Sequence, residues 1–370
     1  MKIAISQIGG CSGKLPRLEL FQKLQALGHT VIRVGQDTGT QLHPDYAKYN
    51  VQYVAIPLGR SNTNPIREIS TLRKTRKVLQ DNNIDGVIAY GIRTFPTVVI
   101  AARLAGVKQI LCIVNGSGKV FRLTGWKGLL VKSISYLMLW VSFMLTNSIL
   151  FQNPDDMLMV RRKRLLWRRN YTTVNGSGVN MDHYKFQTLP ADPVFSMISR
   201  LTGSKGVNEY VQAARLVKNV YPEATFNLIG PIDTDYNDFS IDMNDLNRAV
   251  EGKIINLLGK VKDVRPYLLD CRVFVLPSYY PEGVPRSILE AMSMGRPIIT
   301  ANSPGCCETV IDEYNGFLIP PRDARALAAK MIWMIENPVA VEEMGRKSRI
   351  LCEDTFDIHK VNAFIVSFIK

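Results

Sequence analysis

Two glutamates separated by seven residues, Glu282 and Glu290, and two basic residues separated by four, Arg200 and Lys205, are the residues of this chain best placed by type and spacing to do chemistry. Carboxylates accept hydrogen bonds from hydroxyl groups. Arginine offers a planar fork of donors and lysine a mobile point charge, and both suit a diphosphate. The glutamates lie in PSYYPEGVPRSILEAMSMG, residues 277–295. A helix predicted to begin near Pro285 adds an N-terminal anion site between them. A nucleotide diphosphate-sugar has a group for each feature: phosphates for the cations and the helix end, and hydroxyls for the two carboxylates.

These side chains need a strand-to-helix framework. Residues 273–276 are a short apolar, β-branched run that predicts a buried strand. Pro281 and Gly283 then mark a loop, residues 287–294 are strong helix formers, and Gly295 with Pro297 ends the helix. Arg200 and Lys205 follow another predicted strand, residues 194–199, and precede a helix predicted near Val207. Further strands are predicted at 224–230, 254–258 and 297–301. The first half alternates in the same way, with strands at 2–8, 30–34, 51–57, 86–90 and 109–114. Gly9, Gly10 and Gly13 form a glycine-rich turn after the first strand, without the dinucleotide-binding fingerprint. Alternating strands and helices predict parallel sheets, which bind ligands at strand carboxyl ends.

The E-x7-E pattern resembles the signature of family 4 retaining glycosyltransferases, which have the GT-B fold: α/β, with two Rossmann-like domains facing each other across a cleft. R-x4-K-G at Arg200, Lys205 and Gly206 resembles that family's pyrophosphate-binding element. The loop at Asn115–Gly116–Ser117–Gly118, residues 151–156 and residues 176–180 are similar to a branch that builds capsule, O-antigen and related surface polysaccharides. Asn115–Gly118 stands where members often have TGLG or HGLG, so that loop lacks a histidine. Cys307 stands where a basic residue is common.

The resemblance implies roles. Arg200 and Lys205 stabilise the leaving diphosphate, and Glu282 holds the sugar hydroxyls. Glu290 binds the ribose. Gly9, Gly10, Gly230, Val261, Gly283, Val284 and Pro285 complete the donor site, with Val261 at the nucleotide base. Arg93, Asn115 and Ser117 are acceptor-side candidates, although Asn115 equally suits a turn-holding role. The implied reaction is retaining transfer of a hexose or N-acetylhexosamine from a UDP-sugar to a lipid-linked saccharide, on a polyprenyl diphosphate. No metal or other cofactor is implied. Asp233–Thr–Asp235, which superficially matches the metal motif of another glycosyltransferase fold, reads as a solvated loop.

Length and composition fit this outline. A chain of 370 residues predicts two domains. We place them at 1–180 and 194–355, with a linker at 181–193 and a C-terminal helix, 356–370, packing back onto the first. Hydrophobic content of 46% and a mean hydropathy of 0.00 exclude a disordered chain. The six cysteines show no zinc or C-x-x-C spacing, which suits reduced thiols in the cytoplasm. The start of the chain runs directly into a strand, so no signal peptide is expected.

The net charge of +14 favours anionic partners. No nucleic-acid module is recognisable, which leaves an anionic membrane surface or a phosphorylated substrate. Residues 128–151 are the most hydrophobic stretch, and they read as a buried core helix or an interfacial one rather than a span. The basic run 161–169 around Trp167 adds a lipid-facing charge. Peripheral association with the cytoplasmic face of the inner membrane, through 128–169, is the expectation. Two other readings use the same architecture: a UDP-sugar 2-epimerase, or a non-catalytic nucleotide-sugar-binding partner. The first needs cleft histidines, and none of the four histidines lies in a convincing loop. The second would be marked by loss of Arg200, Lys205 or Glu290.

Overall fold

The computed structural model describes residues 1–8, 15–36, 39–57, 65–116, 121, 125–167, 170–233, 240–280 and 282–369. The chain forms two compact units, Met1–Val174 with His359–Lys370, and Asn175–Ile358.

Seven strands are described in the first unit: β1 Lys2–Ser6, β2 Thr30–Gln36, β3 Gln52–Ile56, β4 Gly86–Tyr90, β5 Gln109–Val114, β6 Ser148–Phe151 and β7 Tyr171–Thr173. They form one parallel sheet in the order β3-β2-β1-β4-β5-β6-β7. Six are described in the second: β8 Val194–Ile198, β9 Thr225–Ile229, β10 Asn256–Gly259, β11 Val273–Leu276, β12 Ile298–Ala301 and β13 Gly316–Ile319. Their order is β10-β9-β8-β11-β12-β13, also parallel. Each sheet therefore reverses direction of winding between two adjacent strands, β1 and β4 in the first and β8 and β11 in the second. Such a switch point is where doubly wound sheets bind ligands.

Burial explains the strand composition. All four residues of β11, VFVL, are buried, as expected of a parallel strand covered on both faces. β6 and β7 do not stand out in the sequence. The apolar run 128–151 holds both the end of a helix, Gly125–Leu145, and the whole of β6. That helix divides along its length. Leu139 and Phe143 are buried in the core of the first unit, with Phe143 edge-on to Phe95. Leu129, Ile134 and Leu137 are more than half exposed. Among the described residues no helix is long and apolar enough to cross a membrane.

The segment 181–193 packs as part of the second unit. Arg296 is fully buried and donates to the carbonyls of Gln187 at 2.7 Å and Thr188 at 3.1 Å. Arg272 donates to the carbonyl of Pro190, and Gln187 N–H to that of Met294. Residues that look like an irregular linker are thus held by buried guanidinium groups, each able to serve several carbonyls at once. The helix Ile358–Val366 belongs mainly to the first unit, where Val361, Ile365 and Val366 join the core with Ile3, Ile5 and Ile113.

Candidate functional site

The candidate residues of the second unit gather at its switch point. β8 and β11 are paired neighbours, and Arg200 and Lys205 follow the first while Glu282 follows the second. A short 3₁₀ turn, Gly203–Lys205, joins β8 to the helix Val207–Lys218. Gly206 ends the turn at φ 84°, a left-handed conformation. A β-carbon there would collide with the carbonyl of Pro277. The glycine therefore lets the basic loop press against the loop after β11.

That contact creates a small polar network. The carbonyl of Ser204 accepts from Tyr279 N–H at 3.1 Å and from Ser278 Oγ at 3.4 Å. Ser278 Oγ lies 2.8 Å from Glu282 Oε1, the carboxylate oxygen that also ion-pairs with Lys205 Nζ. Ser303 Oγ donates to the carbonyl of Ser278 at 2.6 Å, and Glu282 N–H donates to Pro304 at 3.3 Å. Lys205 and Glu282 are both mostly covered, at 14% and 19% side-chain exposure. The lysine is thus aimed before any ligand arrives, and an incoming diphosphate competes with Glu282 for it.

Arg200 points elsewhere. The backbone of Leu201 pairs with Pro231 and Asp233, which carries Asp233 to 2.7 Å from Arg200 Nη1. Asp233, expected in a solvated loop, is an ion-pair partner; Asp235 lies outside the described residues. Gly230 sits one step before this pairing at φ 139°, where a β-carbon would overlap the carbonyl of Ser199. Its N–H donates to Gly259 at 2.8 Å, linking the ends of β9 and β10.

Glu290 lies on the helix Arg286–Ser293. Pro285 precedes it with extended backbone, and Ile288, Leu289, Ala291 and Met292 bury the opposite face. Gly283, Val284 and Pro285 are buried, with Val284 packed on Gly176. Burial raises the Glu290 pKa, while the Arg286 guanidinium, at 3.8 Å, and the nearby Tyr184 hydroxyl oppose that rise. The negative charge of Asp263 adds to it. Hydrogen bonds from Arg265 hold Asp263 itself at about 2. The half-buried Val261 is two residues before Asp263, so the loop after β10 and the Glu290 helix share an electrostatic neighbourhood.

In the first unit, Gly9, Gly10 and Ser117 lie outside the described residues. Arg93 and Asn115 follow the adjacent strands β4 and β5 and are exposed. Gly91, at the end of β4, lies against the second of them: a β-carbon there would sit 3.4 Å from Asn115 Oδ1. Partial burial lowers the Arg93 pKa, offset by Glu68, whose carboxylate also accepts from Thr97 at 2.9 Å. Reasoning from sequence missed Ser278, Tyr184 and the role of Asp233. Only Ser278 had a local signal, as a hydroxyl directly after the strand end.

Residues 192–337 match the family model of group 1 glycosyl transferases. That match lies within the second unit and spans under half of the chain. It is 25% identical over 91% of its length to a Campylobacter jejuni N,N'-diacetylbacillosaminyl-diphospho-undecaprenol alpha-1,3-N-acetylgalactosaminyltransferase, of which 90% is covered. It is 28% identical over 85% of its length to an Escherichia coli UDP-Gal:alpha-D-GlcNAc-diphosphoundecaprenol alpha-1,3-galactosyltransferase, with 83% of that protein covered. Among solved structures, HepE of Anabaena in complex with UDP superposes with a TM-score of 0.76 at 17% identity, covering 99% of both chains. Sucrose-phosphate synthase of Thermosynechococcus elongatus gives 0.77 at 18% identity, covering 99% of this chain and 97% of that one. The chain therefore has the fold of these structures, GT-B, with a parallel sheet in each unit.

Proposed function

We propose that this glycosyltransferase moves a hexosyl or N-acetylhexosaminyl group from a UDP-sugar to a saccharide carried on a polyprenyl diphosphate, with retention at the anomeric carbon. The observation that carries the reading is the Lys205–Glu282–Ser278 network at the β8/β11 switch point. The names of the C. jejuni and E. coli relatives support the lipid-linked acceptor, and the E. coli name and the HepE complex support UDP.

In this reading the C1–O bond to the diphosphate breaks and its electron pair stays on the phosphate oxygen. Lys205, Arg200 and the N-terminus of helix Arg286–Ser293 stabilise that charge, so no metal is required. Glu282, released from Lys205, accepts hydrogen bonds from the sugar and orients C1. The acceptor oxygen bonds to C1 on the same face, and its proton passes to the leaving phosphate. Glu290 accepts from the ribose hydroxyls, while Gly230 and Val261 line the nucleoside end. Arg93, Asn115 and Ser117 serve the acceptor in the first unit.

The same reading places the enzyme on the cytoplasmic face of an anionic membrane. Leu129, Ile134 and Leu137, each more than half exposed, and Trp167, 77% exposed, supply the apolar contact. Arg161, Arg162, Lys163 and Arg164 are exposed and supply the charge. The test is incubation with labelled UDP-sugars and a polyprenyl-diphosphate saccharide. A lengthened lipid product with an α-linkage is expected from an α-linked donor. A C2-epimerised nucleotide-sugar with no lipid product would overturn the proposal.

A further inference from the structure

Ser278 follows the end of β11, is fully buried, and has its main chain fixed by its neighbours. Its carbonyl accepts from Ser303 Oγ at 2.6 Å, and the next N–H, that of Tyr279, donates to the carbonyl of Ser204 at 3.1 Å. Four residues on, Glu282 is held in the same way. Its N–H donates to the carbonyl of Pro304 at 3.3 Å. Gly305, at φ 88°, lets the loop after β12 close on it: a β-carbon there would overlap the carbonyl oxygens of Glu282 and Gly283. With the backbone fixed at both residues, what is left to settle is where the Glu282 carboxylate points. Lys205 and Ser278 both reach the same oxygen of that carboxylate, Oε1.

We propose that Ser278 is a positioning residue for sugar recognition: its hydroxyl keeps the Glu282 carboxylate in place when the donor's diphosphate draws Lys205 away. This rests on the reading of Glu282 as the carboxylate that holds the sugar hydroxyls. A serine hydroxyl has one proton to give. The Ser204 carbonyl, at 3.4 Å, already accepts from Tyr279 N–H, whereas Glu282 Oε1 lies at 2.8 Å. Hydrogen bonds to charged acceptors are the shorter and stronger ones, so the proton belongs to Glu282. The two donors respond differently to a ligand. Lysine is a mobile point charge that turns to a phosphate. Ser278 is uncharged, buried and on a fixed backbone, so a diphosphate does not compete for it. A carboxylate has several acceptor positions. Ser278 occupies one on Oε1, and departure of Lys205 frees another for a sugar hydroxyl. Binding of the phosphate and recognition of the sugar are thereby linked through one carboxylate oxygen.

The test is calorimetric titration of the full chain with UDP and with UDP-glucose, UDP-galactose, UDP-N-acetylglucosamine and UDP-N-acetylgalactosamine. The UDP-sugar that the wild type binds most tightly is then carried through the variants. Ser278→Ala should weaken that UDP-sugar about tenfold, as expected for one hydrogen bond to a charged group, and change UDP itself by less than about twofold. A serine with only a structural role would weaken both together. In turnover assays kcat should also fall about tenfold, because C1 is no longer oriented. Ser278→Cys, a weaker donor, should fall between, and it keeps the test open should Ser278→Ala fold poorly. In a Glu282→Ala background, Ser278→Ala should cost the UDP-sugar nothing more. If Ser278→Ala keeps the wild-type ratio of UDP to UDP-sugar affinity while Glu282→Ala changes it, or if the two losses add in the double variant, the positioning role is wrong. If Glu282→Ala itself leaves that ratio unchanged, the reading of Glu282 as the sugar ligand fails.

Discussion

The two units share one plan, a doubly wound parallel sheet with helices on its faces, and put it to different use. The second unit invests its strand ends in paired charges: Lys205 with Glu282 and Arg200 with Asp233. Gly206 and Gly230 permit the close backbone approach those pairs require. The first unit places Arg93 and Asn115, both exposed, after β4 and β5, and leaves part of a helix face apolar and uncovered at Leu129, Ile134 and Leu137. The difference teaches that this architecture specifies where a ligand sits but not its chemistry. A compact anion calls for short, glycine-tightened loops with cations aimed in advance. A lipid-borne partner calls for exposed apolar surface, which the outer helix layer can offer without touching the sheet.

If the second unit is the one built for the diphosphate, Lys205→Ala should cause the largest effect. A loss of about 10²-fold or more in kcat is expected for removing one transition-state charge, measured at saturating donor. Arg200→Ala should cost less, because Arg200 is half exposed and shared with Asp233. An unchanged rate for Lys205→Ala would remove the distinction between the units. Next in size is Arg296→Met. It leaves the carbonyls of Gln187, Thr188 and Cys271 without their buried donor. The second unit should lose about 3 kcal/mol and separate in urea unfolding from a first unit whose transition does not move. One joint transition shifted as a whole would mean that the units are not independent. The smallest effect concerns the apolar face. Ile134→Asp with Leu137→Asp should lower binding to anionic vesicles about tenfold by flotation, from lost apolar burial, with UDP binding intact. Equal flotation would mean that the face serves something other than lipid.

Much of the fold was legible because alternation of short apolar runs with amphipathic helices is a local signal. Residues 273–276 and the helix after Pro285 can be read from a few neighbours. β6 was not, because its Ile149, Leu150 and Phe151 continue the hydrophobic run of the preceding helix and only Thr146, Asn147 and Ser148 interrupt it. Candidate residues were legible where type and spacing form a motif, as with Arg200, Lys205, Glu282 and Glu290. It was illegible where a residue matters through a partner distant in sequence. Asp233 looks like one end of a metal motif until backbone pairing brings it to Arg200. Tyr184 sits in a segment with no periodicity, and buried arginines fold that segment onto the second unit.

One feature of the topology bears on how the molecule is made. The chain leaves the first unit after Val174 and re-enters it at His359, with Val179 and Asp357 bridged where it departs and returns. The second unit is therefore an insertion within the first. During synthesis, the core around Ile3, Ile5 and Ile113 waits for Val361, Ile365 and Val366 to leave the ribosome. The second unit has its whole sequence first and can fold as a unit, while its host stays open along one face until translation reaches those three residues.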